Sequence, residues 1–232
     1  MELIWDGITQ AVRLLLTGDS EVYVVTLLSL QISGTATLLS LFLGIPAGTV
    51  LALASFPGRH LFLTLANTGM GLPPVVVGLF VSILLWRSGP LGGWDLLYTP
   101  AAIVIAQVLL ALPIVTGLTA AALQQINPKL RLQLLGLGAS RLQSTLLLLR
   151  EARLPLLAAL MAGFGAVISE IGASLMVGGN IRGQTRVLTT ATVLETSKGN
   201  FEVAIALSLI LLLLTFAVNW IFTLIQQRRP PA

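Results

Sequence analysis

Long apolar runs broken by short polar segments set out this chain. Residues 22–58 carry no charged side chain. A helix crosses a hydrocarbon core with about 20 residues, so this run is too long for one upright span and tight for two. We read it as one long helix, about 25–54, kinked near Gly44-Ile45-Pro46, with a hairpin of two spans as the alternative. Its first half holds Thr26, Ser29, Gln31, Ser33, Thr35 and Thr37, several of which can share one face toward other helices or a pathway. Residues 61–86 form a second span, interrupted at Gly69, Gly71 and Pro73-Pro74. Such breaks survive in a membrane only where neighbouring helices or a cavity satisfy the freed backbone. A third span covers about 100–124, a fourth about 154–177 and a fifth about 203–227. Pro100 suits a first helical turn, and Pro113 predicts a kink.

Two segments flank or divide these spans. Residues 3–16 place apolar side chains at helical spacing but are too short to cross. They predict an interfacial helix within 1–21, with Trp5 at headgroup level. Residues 125–153 hold Lys129, Arg131, Arg141, Arg150 and Arg153 against the single acid Glu151. Leu137-Gly138-Ala139-Ser140 divides this loop into two short amphipathic pieces, a helix–turn–helix with Gly138 in the turn and Ser140 as N-cap. Held against a membrane face, the pair makes either a docking surface for a soluble partner or a loop tethered to headgroups by its arginines.

Composition fits this pattern. The chain is 56% hydrophobic and 9% charged, against about 25% charged in soluble domains, and its mean hydropathy is +0.95. The fold class is therefore an all-α membrane protein of about five transmembrane helices plus the N-terminal interfacial helix, with a transmembrane domain over 22–227 and a tail over 228–232. Eight of the thirteen basic residues (Arg59, Lys129, Arg131, Arg141, Arg150, Arg153, Arg228, Arg229) fall on one side of a five-span layout. Basic residues are retained in the cytoplasm, which puts the C-terminus inside and the N-terminus outside a prokaryotic plasma membrane. The acidic start, Met-Glu-Leu-Ile-Trp-Asp, does not look like a cleaved leader.

The sequence holds no cysteine and only one histidine, His60. It has no phosphate-binding GxxxxGK[ST], no metal pattern and no nucleophile–base arrangement, so we expect no catalytic residue, no metal site and no cofactor in this chain. The net charge of +4 has no basic stripe with interleaved aromatics, which argues against nucleic acid. Two stretches could carry chemistry. Glu170 lies inside the fourth span, where an ionisable group costs several kcal/mol unless paired or wet. It is either a gating contact at the pathway or a structural carboxyl satisfied by a Ser, Thr or backbone group of a neighbouring helix. The loop over 178–202 opens with Gly178-Gly179-Asn180-Ile181-Arg182-Gly183-Gln184-Thr185-Arg186. These are groups an oxyanion would want, or those of a loop that contacts another protein. Residues 187–197 predict a short helix outside the membrane.

At these segments the chain resembles the membrane subunit of an ATP-binding-cassette importer, of type I architecture and of the tungstate/molybdate oxyanion branch. Leu137-Gly138-Ala139-Ser140, with Arg141, is similar to the glycine-centred part of the family's cytoplasmic "EAA" loop, which rests in a cleft of the ATPase subunit. Arg150-Glu151-Ala152-Arg153-Leu154-Pro155-Leu156 is similar to its end. Where the family has Glu-Ala-Ala this chain reads Leu132-Gln133-Leu134, and the distance from Gly138 to Leu154-Pro155 is longer. Ser169-Glu170-Ile171-Gly172-Ala173, Gly179 to Gly183 and Thr185 to Ala191 resemble the molybdate-type permease signature, in wording nearest the tungstate subfamily. The resemblance implies Glu170, Gly172, Asn180, Arg182, Thr185 and Arg186 along the gate and path. It also implies a homodimer, two ATPase subunits that hold ATP and Mg, and an extracytoplasmic oxyanion-binding protein. Sulfate or another oxyanion is the alternative cargo. A secondary transporter would need an intramembrane ion or proton site and, usually, repeated halves, and a membrane-embedded enzyme would need clustered catalytic groups.

Overall fold

A computed structural model of the chain describes residues 2–227, and among them every regular element is helical. The tail over 228–232, with Arg228 and Arg229, lies outside the described residues. In chain order the helices are α1 (Glu2–Thr17), α2 (Ser20–Leu53), α3 (Arg59–Gly69), α4 (Pro74–Leu85), α5 (Pro100–Gln124), α6 (Pro128–Gly136), α7 (Arg141–Glu151), α8 (Arg153–Ile168), α9 (Gly172–Gly178), α10 (Leu188–Ser197) and α11 (Phe201–Gln227). Helices α2, α5 and α11 are each long and apolar enough to cross a membrane. The bent pairs α3–α4, at 105°, and α7–α8, at 69°, raise the number of spans to five if each counts as one.

The apolar run after Asp19 is one helix. Asp19 starts it by accepting from the backbone N–H groups of Glu21 and Val22, both at 3.0 Å, which satisfies two donors that the first turn leaves open. The helix continues through Pro46 without a break. At 34 residues it is about 50 Å long, well beyond a hydrocarbon core of about 30 Å. Gly44 and Gly48 bring it against α5. A Cβ at Gly48 would stand 2.5 Å from the Thr116 carbonyl oxygen, and one at Gly44 would stand 2.8 Å from Val115 Cγ1. Small residues at this spacing let two helix backbones approach where no hydrophobic drive exists between them.

The α2 C-terminus is covered by two guanidinium groups. Arg59 donates to the carbonyls of Leu51 (2.6 Å) and Ala52 (3.3 Å), and Arg131 from α6 donates to that of Leu53 (2.8 Å). Cations belong at this end of the helix dipole. The contacts also anchor the basic loop to the end of a spanning helix.

That loop is a helix–turn–helix. Asn127 caps α6 by accepting from Lys129 N–H at 3.0 Å. The helix closes with Gly138 N–H on the Leu135 carbonyl and Ala139 N–H on that of Leu134, both at 3.0 Å, around a Gly138 φ of +88°. This paired closure calls for glycine. Ser140 then starts α7 in a reciprocal cap, accepting from Gln143 N–H (3.2 Å) while its own N–H donates to Gln143 Oε1 (2.8 Å). Leu132, Leu137, Leu142 and Leu146 stay exposed on the pair.

The main core joins four elements. Ile32 of α2, Val77 and Val81 of α4, Ile103 and Ala106 of α5, and Ala173 and Val177 of α9 pack together. A second cluster, Val22, Val25, Leu188, Ala191, Leu207 and Ile210, ties α2 to α10 and α11. Helix α1 packs on α11 so closely at Gly7 that a Cβ there would overlap Ile205.

Candidate functional site

Two broken segments meet at their breaks. Helix α3 stops at Gly69 and α4 resumes at Pro74. Helix α8 stops at Ile168 and α9 resumes at Gly172. Helix α8 has 16 residues, about 24 Å, short of a hydrocarbon core of about 30 Å, and α9 carries the apolar run on past the break. Glycines let the two breaks touch. A Cβ at Gly172 would be 2.8 Å from Val75 Cγ2, and one at Gly78 would be 2.7 Å from Ala173 Cα. Met70, Leu72, Val75, Ser169 and Ile171 are exposed on the surface of the chain here. Irregular backbone at membrane depth is stable only when covered by protein or lining a wet cavity.

Behind this surface the polar groups of the α8–α9 break are satisfied. Glu170 is buried. Its carboxylate accepts from Ala173 N–H (2.6 Å), Ser174 N–H (2.9 Å) and Ser174 Oγ–H (2.6 Å). It thus caps α9, a negative charge at the positive end of a helix. The carboxylate is held by the helix that follows it in the chain, not by a neighbouring one. The carbonyl of Glu170 accepts from Thr189 Oγ1 at 2.9 Å. The carbonyl of Val167, in the last turn of α8, accepts from Glu170 N–H (3.3 Å), Gln107 Nε2 (3.1 Å) and Ser33 Oγ (3.5 Å). Ser29 Oγ in turn accepts from Leu188 N–H at 2.8 Å. One buried polar layer therefore links α2, α5, α10 and the break.

The loop after α9 is a second cluster. Arg182 donates through Nε to Glu21 Oε1 at 2.9 Å and through Nη2 to Oε2, and Arg186 Nη1 donates to Oε1 at 3.2 Å. Glu21 both bonds Arg182 and attracts it, raising the guanidinium's pKa above its ordinary value. Two cations share this one carboxylate, and the carboxylates of Asp19 and Glu195 lie close enough to act on Arg182 and Arg186 respectively. Arg182 is 73% exposed and Arg186 only 17%. Thr185 is buried and holds the loop's shape, donating to the Gly178 carbonyl (2.6 Å) and accepting from Ile181 N–H (2.9 Å). Asn180 has a positive φ of 53° and donates to the Thr190 carbonyl at 3.3 Å. Beside it the Tyr98 ring lies over Gly179, 2.8 Å from where a Cβ would stand.

Of the residues singled out in the sequence, Asn180, Arg182, Thr185 and Arg186 share this loop. Glu170 and Gly172 sit at the paired breaks, tied to the loop through Thr189. Leu137, Gly138, Ala139, Ser140 and Arg141 lie at the opposite end of the spans, beside the α2 C-terminus. Ser33 is among the α2 hydroxyls singled out in the sequence, whereas Gln107 and Glu21 escaped that reading. Gln107 carried a signal, being the one amide in the interior of an apolar 25-residue helix. Ser33 sits among the hydroxyls of α2, of which Ser29, Ser33 and Thr37 prove to share the buried face. Nothing local to Glu21 reveals a partner 161 residues away.

Residues 44–229 match the family model described as binding-protein-dependent transport system inner membrane component. A tungstate uptake system permease protein of Peptoclostridium acidaminophilum is 40% identical, over 98% of this chain and 100% of its own. A probable anion ABC transporter permease protein of Haloferax volcanii is 41% identical, over 89% of this chain and 91% of its own. Among solved structures, the crystal structure of an amino acid ABC transporter with histidines superposes with a TM-score of 0.69, at 15% identity, over 93% of this chain and 97% of that one. At that identity the likeness concerns the fold.

Proposed function

The chain belongs to the binding-protein-dependent transport system inner membrane components, and on that footing we propose that it forms the membrane passage of an ATP-binding-cassette importer for a tetrahedral oxyanion, tungstate foremost and molybdate next. It is a multi-pass inner-membrane permease and not an enzyme. The observation that carries the reading of the cargo is the similarity, along the whole chain, to a permease named for tungstate uptake. A second reading, another oxyanion such as sulfate, is supported by the 41% identical relative named only for an anion.

In this reading two copies enclose the passage, and the paired breaks of each copy face it. The exposed leucines of α6 and α7 seat on a separate ATPase subunit, which holds ATP and Mg. The N-terminus and the Asn180–Arg186 loop lie outside, toward a binding protein that delivers the anion, and α1 lies along the membrane surface. ATP binding moves the helix pair, and the motion matters because it favours one arrangement of the passage over the other. The carboxylates around Arg182 and Arg186, Glu21 with Asp19 and Glu195 nearby, support a conducting role. Two bare arginines would trap a dianion, whereas conduction needs binding weak enough to allow exit. Glu170 stays with α9 and does not touch the cargo, since a buried carboxylate would repel a dianion.

Cells deleted for this chain test the reading. They should lose tungstate accumulation from trace concentrations and regain it when the chain is restored. Normal accumulation in the deleted cells, with loss of sulfate accumulation in its place, would move the assignment to the second reading.

A further inference from the structure

A groove of about 580 Å³ lies between the end of α2 and the basic helix pair, lined by Thr49, Leu53, Ser55, Arg131, Arg141 and Thr145 among others. None of its lining residues is acidic. Arg131 uses Nη1 on the Leu53 carbonyl at 2.8 Å, which leaves its other N–H groups available. The Arg141 guanidinium makes no ion pair, and the three ion pairs among the described residues all lie at the opposite end of the spans. Two guanidiniums beside one cavity repel each other unless an anion sits between them. The negative end of the α2 dipole does not oppose such an anion, because Arg59 and Arg131 already cover its last carbonyls. Ser55 adds a hydroxyl, while the Thr145 hydroxyl is spent on the Arg141 carbonyl at 2.9 Å.

The level of the groove indicates what fills it. Its wall runs from Thr49, one turn before the end of a spanning helix, to Ser55 just past that end. Basic pockets at the ends of spanning helices take lipid phosphates. We propose that Arg131 and Arg141 form a site for a phosphate-type oxyanion group, supplied by an anionic lipid headgroup or by a free anion. The occupant would bridge α6 and α7 to the end of α2 and so brace the helix pair. The site is separate from the passage for cargo and stands whether or not the transport reading holds.

Native mass spectrometry of the full-length chain in detergent, with phosphatidylglycerol, phosphatidylcholine or inorganic phosphate added, tests the site. The intact chain should retain phosphatidylglycerol about fivefold or more over phosphatidylcholine, since one basic contact near a membrane surface is worth about 1 kcal/mol. Arg141→Gln should abolish that preference. Arg150→Gln should keep it, because Arg150 lines a different groove that it shares with Glu151. Ser55→Ala, which disturbs no observed contact, should reduce it and serves if Arg141→Gln does not fold. Displacement of the lipid by millimolar phosphate, with Arg141-dependent phosphate binding, would identify a free anion as the occupant; resistance to phosphate would identify the lipid. Equal retention of both lipids without phosphate binding would overturn the proposal, as would a preference unchanged in both variants.

Discussion

Arg182 closes a two-point grip on Glu21, with Nε donating to Oε1 at 2.9 Å and Nη2 to Oε2. The contact joins the first turn of α2 to the loop after α9 across 161 positions of sequence. Exposed pairs of this kind add little stability, so the role of this one is positional. Glu21→Gln should leave the thermal midpoint nearly unchanged yet raise hydrogen–deuterium exchange over 180–186. It also removes the carboxylate that both arginines grip. Anion uptake should then become more sensitive to salt, because attraction between exposed charges is screened within about 8 Å at physiological ionic strength. Unaltered exchange in this loop would remove the positional role.

Glu170→Gln probes the cap of α9. The amide keeps the shape but offers one acceptor oxygen where the carboxylate serves three donors through two. A buried donor left without a partner costs about 1–3 kcal/mol, so the variant should unfold at lower temperature, measured in detergent. Gln107→Leu should cost less, because the Val167 carbonyl keeps the donors Glu170 N–H and Ser33 Oγ and the change also removes a buried Gln107 Oε1 that has no partner. If Glu170→Gln melts with the parent and uptake stops, the carboxylate is a gating group and not a cap.

Gly138→Val should strain the turn between α6 and α7. A Cβ at Gly138 would meet nothing within 4 Å, so the whole cost is the left-handed φ, about 1–2 kcal/mol, and more for a β-branched side chain. The variant should insert normally but lose ATPase stimulation, while Gly138→Asn, which tolerates this conformation, should retain most of it. Full stimulation by the Gly138→Val variant would separate this turn from coupling.

Much of this architecture is visible in the residues, and the exceptions share a cause. Local rules suffice where a signal and its structure lie within a few positions. The uncharged run after Glu21 becomes one helix, Pro73-Pro74 marks a break, Gly138 takes a positive φ and Ser140 caps α7. The candidate site is less legible because its contacts are long-range. Glu170 stands out as an intramembrane acid, but its partners come from a break at Ser169–Ile171 that the apolar pattern of 154–177 conceals. The partners of Val167, on α2 and α5, depend on how the helices pack. Arg182 and Arg186 look like free cations until folding brings Glu21 to them.

Glu195 predicts a dependence on acid. Hydrogen bonds from Asn200 and then Lys198 lower its pKa below the ordinary value of 4.5, at 2.7 and 2.8 Å. A depressed pKa contributes stability that is present above the unfolded value and is lost as pH falls through the folded one. Exchange protection at the end of α10 should therefore hold at neutral pH and fall below about pH 4.5. Glu195→Gln should flatten that profile. An equal acid loss in the variant would assign the effect to another group.

The most direct measurement is uptake of labelled tungstate into proteoliposomes that contain this chain, its ATPase partner inside and its binding protein outside. The account predicts accumulation that requires ATP, the ATPase and the binding protein together, and that is suppressed by excess molybdate more than by excess chloride. Tungstate accumulation driven by an ion gradient without ATP, or none under any combination while another solute enters, would contradict it.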